Sequence, residues 1–246
     1  MVKRIVTHVR WRIHQFFKID IKQFVFGLFL PKMVLSGPFK GMLYLNKSTG
    51  SVVLPKLIGT YEDELHQLIE QTIVKKSYNQ FIDIGAAEGY FAVGFSKYIF
   101  KQKIPVIAFE LTERGRKMIH QLAHLNKVNN ITINGACNID ALLSVLLPKS
   151  LILMDVEGFE VELLQPKRIN YGETDILVEL HPNVHPAIRD EIISRFKATH
   201  HITEIFPAEK KLPDIQLPQW LYKRRSLLMN EFRGPQSWLW MEANPS

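Results

Sequence analysis

From residue 80 onward, short continuous apolar runs alternate with longer segments whose apolar positions follow helical spacing. Phe81, Ile82 and Ile84 open the series, and a helix-compatible run follows from Tyr90 to about Phe100. A second strand is predicted over 104–109, then a helix from about Glu113 to Asn126 and a short third strand, 131–133. Next come a helix over 139–146, a strand LILM ending at Asp155, and a helix from near Phe159 to Leu164. A fifth strand over 175–180, a helix over about 187–197 and a sixth strand, HHITEIF, complete the alternation. Strands that are apolar throughout, each separated from the next by a helix, predict a parallel sheet covered on both faces. The segment SWLWM near the end supplies a last, antiparallel strand. The expected fold is therefore α/β, a Rossmann-like doubly wound and mostly parallel sheet of about seven strands, the last antiparallel.

Upstream the pattern changes. Gly37, Pro38, Gly41 and Gly50 punctuate residues 36–60 and predict a small β cap with turns. Thr60 followed by Asp63 reads as a helix cap, with a helix from Tyr61 to about Lys75 burying Leu65, Leu68, Ile69 and Ile73. The chain thus divides into an arm over 1–35, a cap with its lead-in helix over 36–76, and the α/β domain over 77–246.

Charge sharpens this division. Residues 1–40 hold eight Lys or Arg and one Asp, a balance of +7. The rest of the 246-residue chain holds 23 basic and 23 acidic side chains and is neutral. The basic excess belongs to a segment that also carries Trp11 and several Phe and Ile, and such a segment packs on its domain, lies on an anionic membrane surface or contacts phosphates. The neutral body argues against nucleic acid as the principal partner. The single cysteine, Cys137, rules out an internal disulfide and a cysteine-built zinc site, which fits a reducing compartment. No run of 18 apolar residues is present, and the start does not read as a cleaved signal peptide. A cytoplasmic protein, with peripheral contact at the inner membrane surface, is the expectation.

Candidate chemistry lies where a doubly wound sheet places it, at the carboxyl ends of strands. The first strand ends in the loop Gly85-Ala86-Ala87-Glu88-Gly89, whose small residues let backbone pass close to a ligand. GAAEG is not the dinucleotide pattern GxGxxG, because the required position holds Tyr90, and no Lys-Ser/Thr pair makes it a phosphate loop. An NAD-dependent oxidoreductase is therefore disfavoured. Glu110, ending the second strand, can accept both hydrogen bonds of a ribose diol. Asp155 and Glu157 are two apart, as are Glu179 and His181, so each pair points to one side of an extended chain. Their convergence would offer a general base, Asp155 or His181, or an oxygen-rich site for Mg²⁺ or Ca²⁺. No metal ligand set is assigned. Glu157 and Glu160 read equally well as a solvated acidic helix start.

The motifs FIDIGAAEGYFAVG (81–94), VIAFE (106–110), NGAC (134–137), LILMDVEGFEVELL (151–164) and ILVELHP (176–182), with SGPFKGMLY and GTYEDEL upstream, resemble the FkbM-type family of class I S-adenosylmethionine-dependent methyltransferases. The resemblance covers about residues 36–182. It implies that Asp83, Gly85, Ala86, Ala87, Glu88 and Gly89, continuing into Tyr90, cradle the cofactor. Glu110 and Leu111 would lie at its ribose, and Ala136 and Cys137 beside its adenine. Asp155 would face the reacting methyl; Glu157 and His181 join it as candidate catalytic residues on the spacing argument alone. It further implies O-methylation of a small-molecule or glycan hydroxyl. A non-catalytic, cofactor-binding or membrane-recruited accessory protein of the same fold and, through the basic arm, an RNA methyltransferase are the competing expectations.

Overall fold

The computed structural model describes residues 25–234 and 236–245. Most of the expected N-terminal arm therefore lies outside the described residues. The chain forms two compact units, which are taken in turn.

The larger unit comprises residues 62–210 and 233–246. Its strands are β1 (Gln80–Ile84), β2 (Val106–Phe109), β3 (Ile131–Asn134), β4 (Ser150–Met154), β5 (Asp175–Leu180), β6 (His200–Ile205) and β7 (Ser237–Ala243). They form one seven-stranded sheet in the order β3-β2-β1-β4-β5-β7-β6. The first five are parallel, and β7 inserts antiparallel between β5 and β6. The order reverses beside β1, so the loops after β1, β2, β4 and β5 open on one edge, which is where such sheets bind ligands.

Alternation along these strands builds two covers. On one face Ile82, Ile84, Ile152, Met154, Ile176, Val178 and Leu180 join Leu142, Leu163, Ile188, Ile192 and Phe196 in a buried cluster. The last five come from the helices α5 (Ile139–Val145), α6 (Glu160–Leu163) and α7 (Ile188–Phe196). Phe81, pointing the other way, stacks on Phe95 at 4.6 Å between ring centres. Phe95 begins a π-helical segment, Phe95–Ile99, that continues α3 (Tyr90–Gly94). The helix α4 (Glu113–Asn126) starts at Thr112, whose hydroxyl accepts from the Gly115 backbone N–H.

The lead-in to β1 is shorter and more broken than the expected single helix. A 3₁₀ turn (Asp63–Leu65), the helix α2 (His66–Gln71) and a second 3₁₀ turn (Ile73–Lys75) replace it. The N-cap position is Glu62, in the left-handed region at φ 50°, and not Thr60. At the amino end of β5, Asp175 accepts from Lys76 Nζ at 2.5 Å, Tyr78 Oη at 2.7 Å and the Ala243 backbone N–H at 2.9 Å. These bonds tie β5, β7 and the lead-in together at the edge away from the site.

The smaller unit comprises the described residues up to Tyr61 together with 211–232. The segment expected as a small β cap holds one bridge pair, Met33 with Leu43, tight turns and the helix α1 (Val53–Ile58). Ser36 Oγ donates to the Ile58 carbonyl at 2.6 Å. The helices α8 (Gln219–Tyr222) and α9 (Arg225–Met229) bury Leu221 and Leu228. Phe29 and Trp220 meet edge to face at 5.0 Å, with Phe29, Leu28 and Trp220 all exposed.

Candidate active site

The loop after β1 is pressed against the loop after β4. Gly85 has φ 89°, and a Cβ there would stand 1.8 Å from the carbonyl oxygen of Asp155. Only glycine permits both the left-handed backbone and the approach. The Gly85 and Ala86 N–H groups both donate to the Phe109 carbonyl, at 2.9 and 3.0 Å, and Asp155 N–H donates to Ile84 O at 2.9 Å. Ala87 is held in the left-handed region at φ 50°.

Glu110 secures this loop from the neighbouring strand. Its Oε2 accepts from the Ala87 backbone N–H at 3.0 Å, and its Oε1 accepts from Thr112 N–H and Oγ1 at 2.8 and 2.6 Å. A carboxylate offers about four acceptor positions, so one remains for a ligand hydroxyl. Gly115 leaves room for this carboxylate: a Cβ at that position would fall 2.6 Å from Glu110 Cγ.

The remaining expected cofactor residues differ in burial. Asp83 and Glu88 are buried, as are Ala86, Gly89 and Tyr90. Leu111 and Ala136 are exposed, and Cys137 is half-buried with its Sγ 3.7 Å from the Asn138 carbonyl. Burial pushes the Cys137 thiol up to about 12.

The second half of the site centres on His181, just past the end of β5. Its Nδ1 lies 2.7 Å from Glu160 Oε1. The same oxygen accepts from the Gly158 and Val156 backbone N–H groups at 3.2 and 3.4 Å. Around Nε2 stand Asp155 Oδ1 at 3.4 Å, Glu179 Oε2 at 3.5 Å and Glu157 Oε2 at 3.6 Å. The loop reaches this geometry through two consecutive left-handed residues, Glu157 at φ 52° and Gly158 at φ 106°. Asp155, Glu157 and His181 thus meet at one point. Glu157 is exposed, whereas His181 and Glu179 are buried.

Electrostatics follows from this packing. Burial raises Asp155 above the usual carboxylate range, against the pull of His181. Burial and the facing Asp155 carboxylate raise Glu179 well above it. Burial would lower His181, but the Glu160 hydrogen bond and the charges of Asp155, Glu160 and Glu157 outweigh it and raise the imidazole.

Two participants, Glu160 and Arg233, were not assigned roles from sequence, and Glu179 was expected only as a member of the converging cluster. Glu160 is fully buried and orients His181, so it is not part of a solvated helix start. Glu179 faces His181 with one oxygen while Arg233 Nη1 donates to the other at 3.2 Å. Arg233 also pairs with Glu62 and Glu64, and Trp238 Nε1 donates to Glu62 at 2.9 Å. The spacing of Glu157 and Glu160 pointed equally to both outcomes, and nothing local connects residue 233 to residues 62 and 64.

No protein-family model matches the chain, and no curated protein sequence matches it. Solved structures do. A candidate O-methyltransferase from Klebsiella pneumoniae superposes with a TM-score of 0.50 at 12% identity, over 74% of this chain and 80% of that one. An rRNA methylase from Streptococcus thermophilus superposes with a TM-score of 0.51 at 11% identity, over 74% of this chain and 97% of that one. The chain has the Rossmann-like fold of the methyltransferases. At such identities the likeness concerns the fold alone, and the chemistry has to be argued from the site.

Proposed function

We propose that the protein transfers the methyl group of S-adenosylmethionine to a hydroxyl of a small-molecule or glycan acceptor. The observation that carries this reading is the joint between Glu110 and the Gly85–Gly89 loop: a buried carboxylate bonded to Ala87 N–H, with acceptor capacity to spare, beside a glycine whose backbone touches Asp155. That cradle fits a ligand with a sugar diol and little phosphate, because it lacks the cationic side chain of a phosphate loop. The FkbM-type resemblance assigns cofactor roles to the loop Asp83 to Tyr90, Glu110 and Asp155 of this cradle, and also to Leu111, Ala136 and Cys137. S-adenosylmethionine supplies an already activated methyl on a sulfonium, so the protein's task is positioning.

Each side of the site then has a task. Glu110 accepts from one ribose hydroxyl with its remaining position, and the Gly85–Gly89 backbone fixes the cofactor beside Asp155. Asp155, Glu157 and His181 hold the acceptor hydroxyl and take its proton as the oxygen–methyl bond forms and the sulfonium–methyl bond breaks. S-adenosylhomocysteine is the other product. The acceptor is not a polyanion on this reading, since the exposed Glu157 carboxylate stands at the mouth beside the partly buried Asp155 and would repel phosphates.

The basic first 40 residues and the exposed Phe29 and Trp220 support peripheral attachment to an anionic membrane surface from the cytoplasmic side. Among the described residues no helix is long and apolar enough to cross a membrane.

Isothermal titration with S-adenosylhomocysteine, S-adenosylmethionine and NAD tests the cofactor. Binding of the two sulfur compounds, lost in Gly85→Val and Glu110→Ala, is the expected result, followed by a screen of glycan and small-molecule hydroxyls for methyl transfer. A folded protein that binds neither overturns the reading in favour of the accessory protein.

A further inference from the structure

Nε2 of His181 presents a chemical problem. It is buried and makes no hydrogen bond, as is also true of Asp155 Oδ1. Nδ1 sits 2.7 Å from Glu160 Oε1, an oxygen that already accepts from two backbone N–H groups and so acts as an acceptor here too. Nδ1 therefore carries the proton, and in the neutral ring Nε2 is left with its lone pair. That lone pair faces Asp155 Oδ1, Glu179 Oε2 and Glu157 Oε2, all within 3.6 Å. Four electron-rich atoms converge, and of these His181 Nε2 and Asp155 Oδ1 have no hydrogen-bond partner.

A second proton on the ring answers this only in part. One N–H can point at one oxygen, and none of the three stands in hydrogen-bonding geometry to Nε2. A metal ion at the centre answers it for all. Ligand atoms of Asp155, Glu179 and His181 lie within 4.8 Å of one another, close enough to share one ion. The surroundings match what metal-binding imidazoles have, with Glu160 fixing tautomer and ring orientation through the far nitrogen. Arg233 holds the other oxygen of Glu179, leaving Oε2 as a single-oxygen ligand.

We infer that Asp155, Glu179 and His181 form a binding site for a divalent first-row transition cation, with Glu157 at its open side. The imidazole decides the class of ion: Mg²⁺ and Ca²⁺ prefer all-oxygen shells, whereas Mn²⁺, Fe²⁺ and Zn²⁺ accept nitrogen with carboxylates. The site stands on these residues alone. Its use rests on the proposed methyl transfer: a cation here would bind the acceptor hydroxyl and acidify it, and Glu157, the exposed carboxylate, would then take the proton.

The test uses the full chain, stripped with chelator and dialysed, with Mn²⁺ uptake followed by loss of the free-ion paramagnetic resonance signal. Co²⁺ absorption reports the ligand set. One Mn²⁺ per chain is expected, abolished in His181→Ala and Asp155→Asn and weakened about 10–100-fold in Glu160→Gln. His181→Gln, closer in size, guards against a folding artefact, and circular dichroism checks each variant. No uptake by the folded chain overturns the inference, as does uptake unchanged in the folded His181 and Asp155 variants, or Mg²⁺ or Ca²⁺ bound in preference. S-adenosylhomocysteine is titrated into the same samples. Cofactor binding without metal uptake sinks the cation site alone, and metal uptake without cofactor binding sinks the methyltransferase reading alone.

Discussion

Glu160 and His181, 21 positions apart in the chain, are joined by a 2.7 Å contact between a fully buried carboxylate and a buried imidazole. The contact fixes which ring nitrogen faces the site. Replacing Glu160 with Gln removes the charge and places an amide N–H₂ where Oε2 now has no hydrogen-bond partner. A buried donor left unpaired costs about 1–3 kcal/mol. Glu160→Gln should therefore lose about 2 kcal/mol in urea unfolding. The His181 ring ¹⁵N shifts should also move toward a mixture of tautomers. An unchanged pair of shifts would mean that Glu160 does not set the tautomer.

Gly85 offers a sharper test of the cradle. Its left-handed backbone and the 1.8 Å approach to the Asp155 carbonyl leave no space for a methyl. Gly85→Ala should cost about 3 kcal/mol by forcing the two loops apart and abolish S-adenosylhomocysteine binding. Gly135→Ala is the control, since nothing lies within 4 Å of a Cβ there, and it should stay within about 0.5 kcal/mol of the parent. Equal behaviour of the two would remove the close approach as an explanation.

Arg233 meets three carboxylates, Glu62, Glu64 and Glu179, with little of its side chain exposed. Burial pushes Glu64 up, but the Arg233 charge, the backbone hydrogen bond and Lys210 outweigh it and hold Glu64 below its ordinary 4.5. A depressed carboxylate contributes stability that is present above the unfolded value and lost as pH falls through the folded one. Removing the guanidinium inverts that, because the crowded anions then prefer their protons. Arg233→Ala should cost about 3–5 kcal/mol at pH 8 and clearly less at pH 5. A penalty independent of pH would show that Arg233 acts by packing.

Cys137 gives a chemical readout beside the expected adenine position. With its thiol pushed up to about 12 by burial, almost no thiolate exists at pH 8. A disulfide reagent should label the native protein far more slowly than the urea-unfolded chain. Rapid labelling of the folded state would place Cys137 in more open surroundings.

The strands were legible because a parallel sheet buries both faces, and continuous apolar runs such as 151–154 and 176–178 cannot lie anywhere else. β5 begins at Asp175 and ends at Leu180, as the pattern indicates. The antiparallel last strand was legible too, since the apolar run 238–241 follows a proline-rich tail and not an amphipathic crossover helix pattern. The lead-in helix was not: Glu62 adopts a left-handed conformation and is bound by Trp238 and Arg233, so tertiary contacts displaced the local cap signal at Thr60. In the site, Asp155, Glu157 and His181 came together through strand-end placement and two-residue spacing. Glu160 could not be separated from a solvated acid, because its burial depends on His181 reaching it from the next strand. Arg233 was hidden for the same reason, its partners lying 171, 169 and 54 positions away.

His200 supplies a pH test at the opposite edge of the sheet from the site. Its ring lies in the core against Phe196 at 5.2 Å, with Nε2 2.9 Å from the Thr174 carbonyl and Nδ1 2.9 Å from Thr199 Oγ1. The carbonyl can only accept, so Nε2 carries the proton and the ring is neutral. Burial lowers its pKa below 6.5, against the smaller opposing effects of the Thr174 carbonyl and the Asp175 charge. A lowered imidazole contributes stability that is complete above the unfolded value and disappears as pH falls through the folded one. His181 titrates in the opposite sense, so the parent protein alone would show a blend. The difference between parent and His200→Gln isolates the term. That difference should be largest at pH 7–8 and shrink steadily toward pH 5 in urea unfolding series. If it stays constant or grows on acidification, His200 is not held neutral by the core.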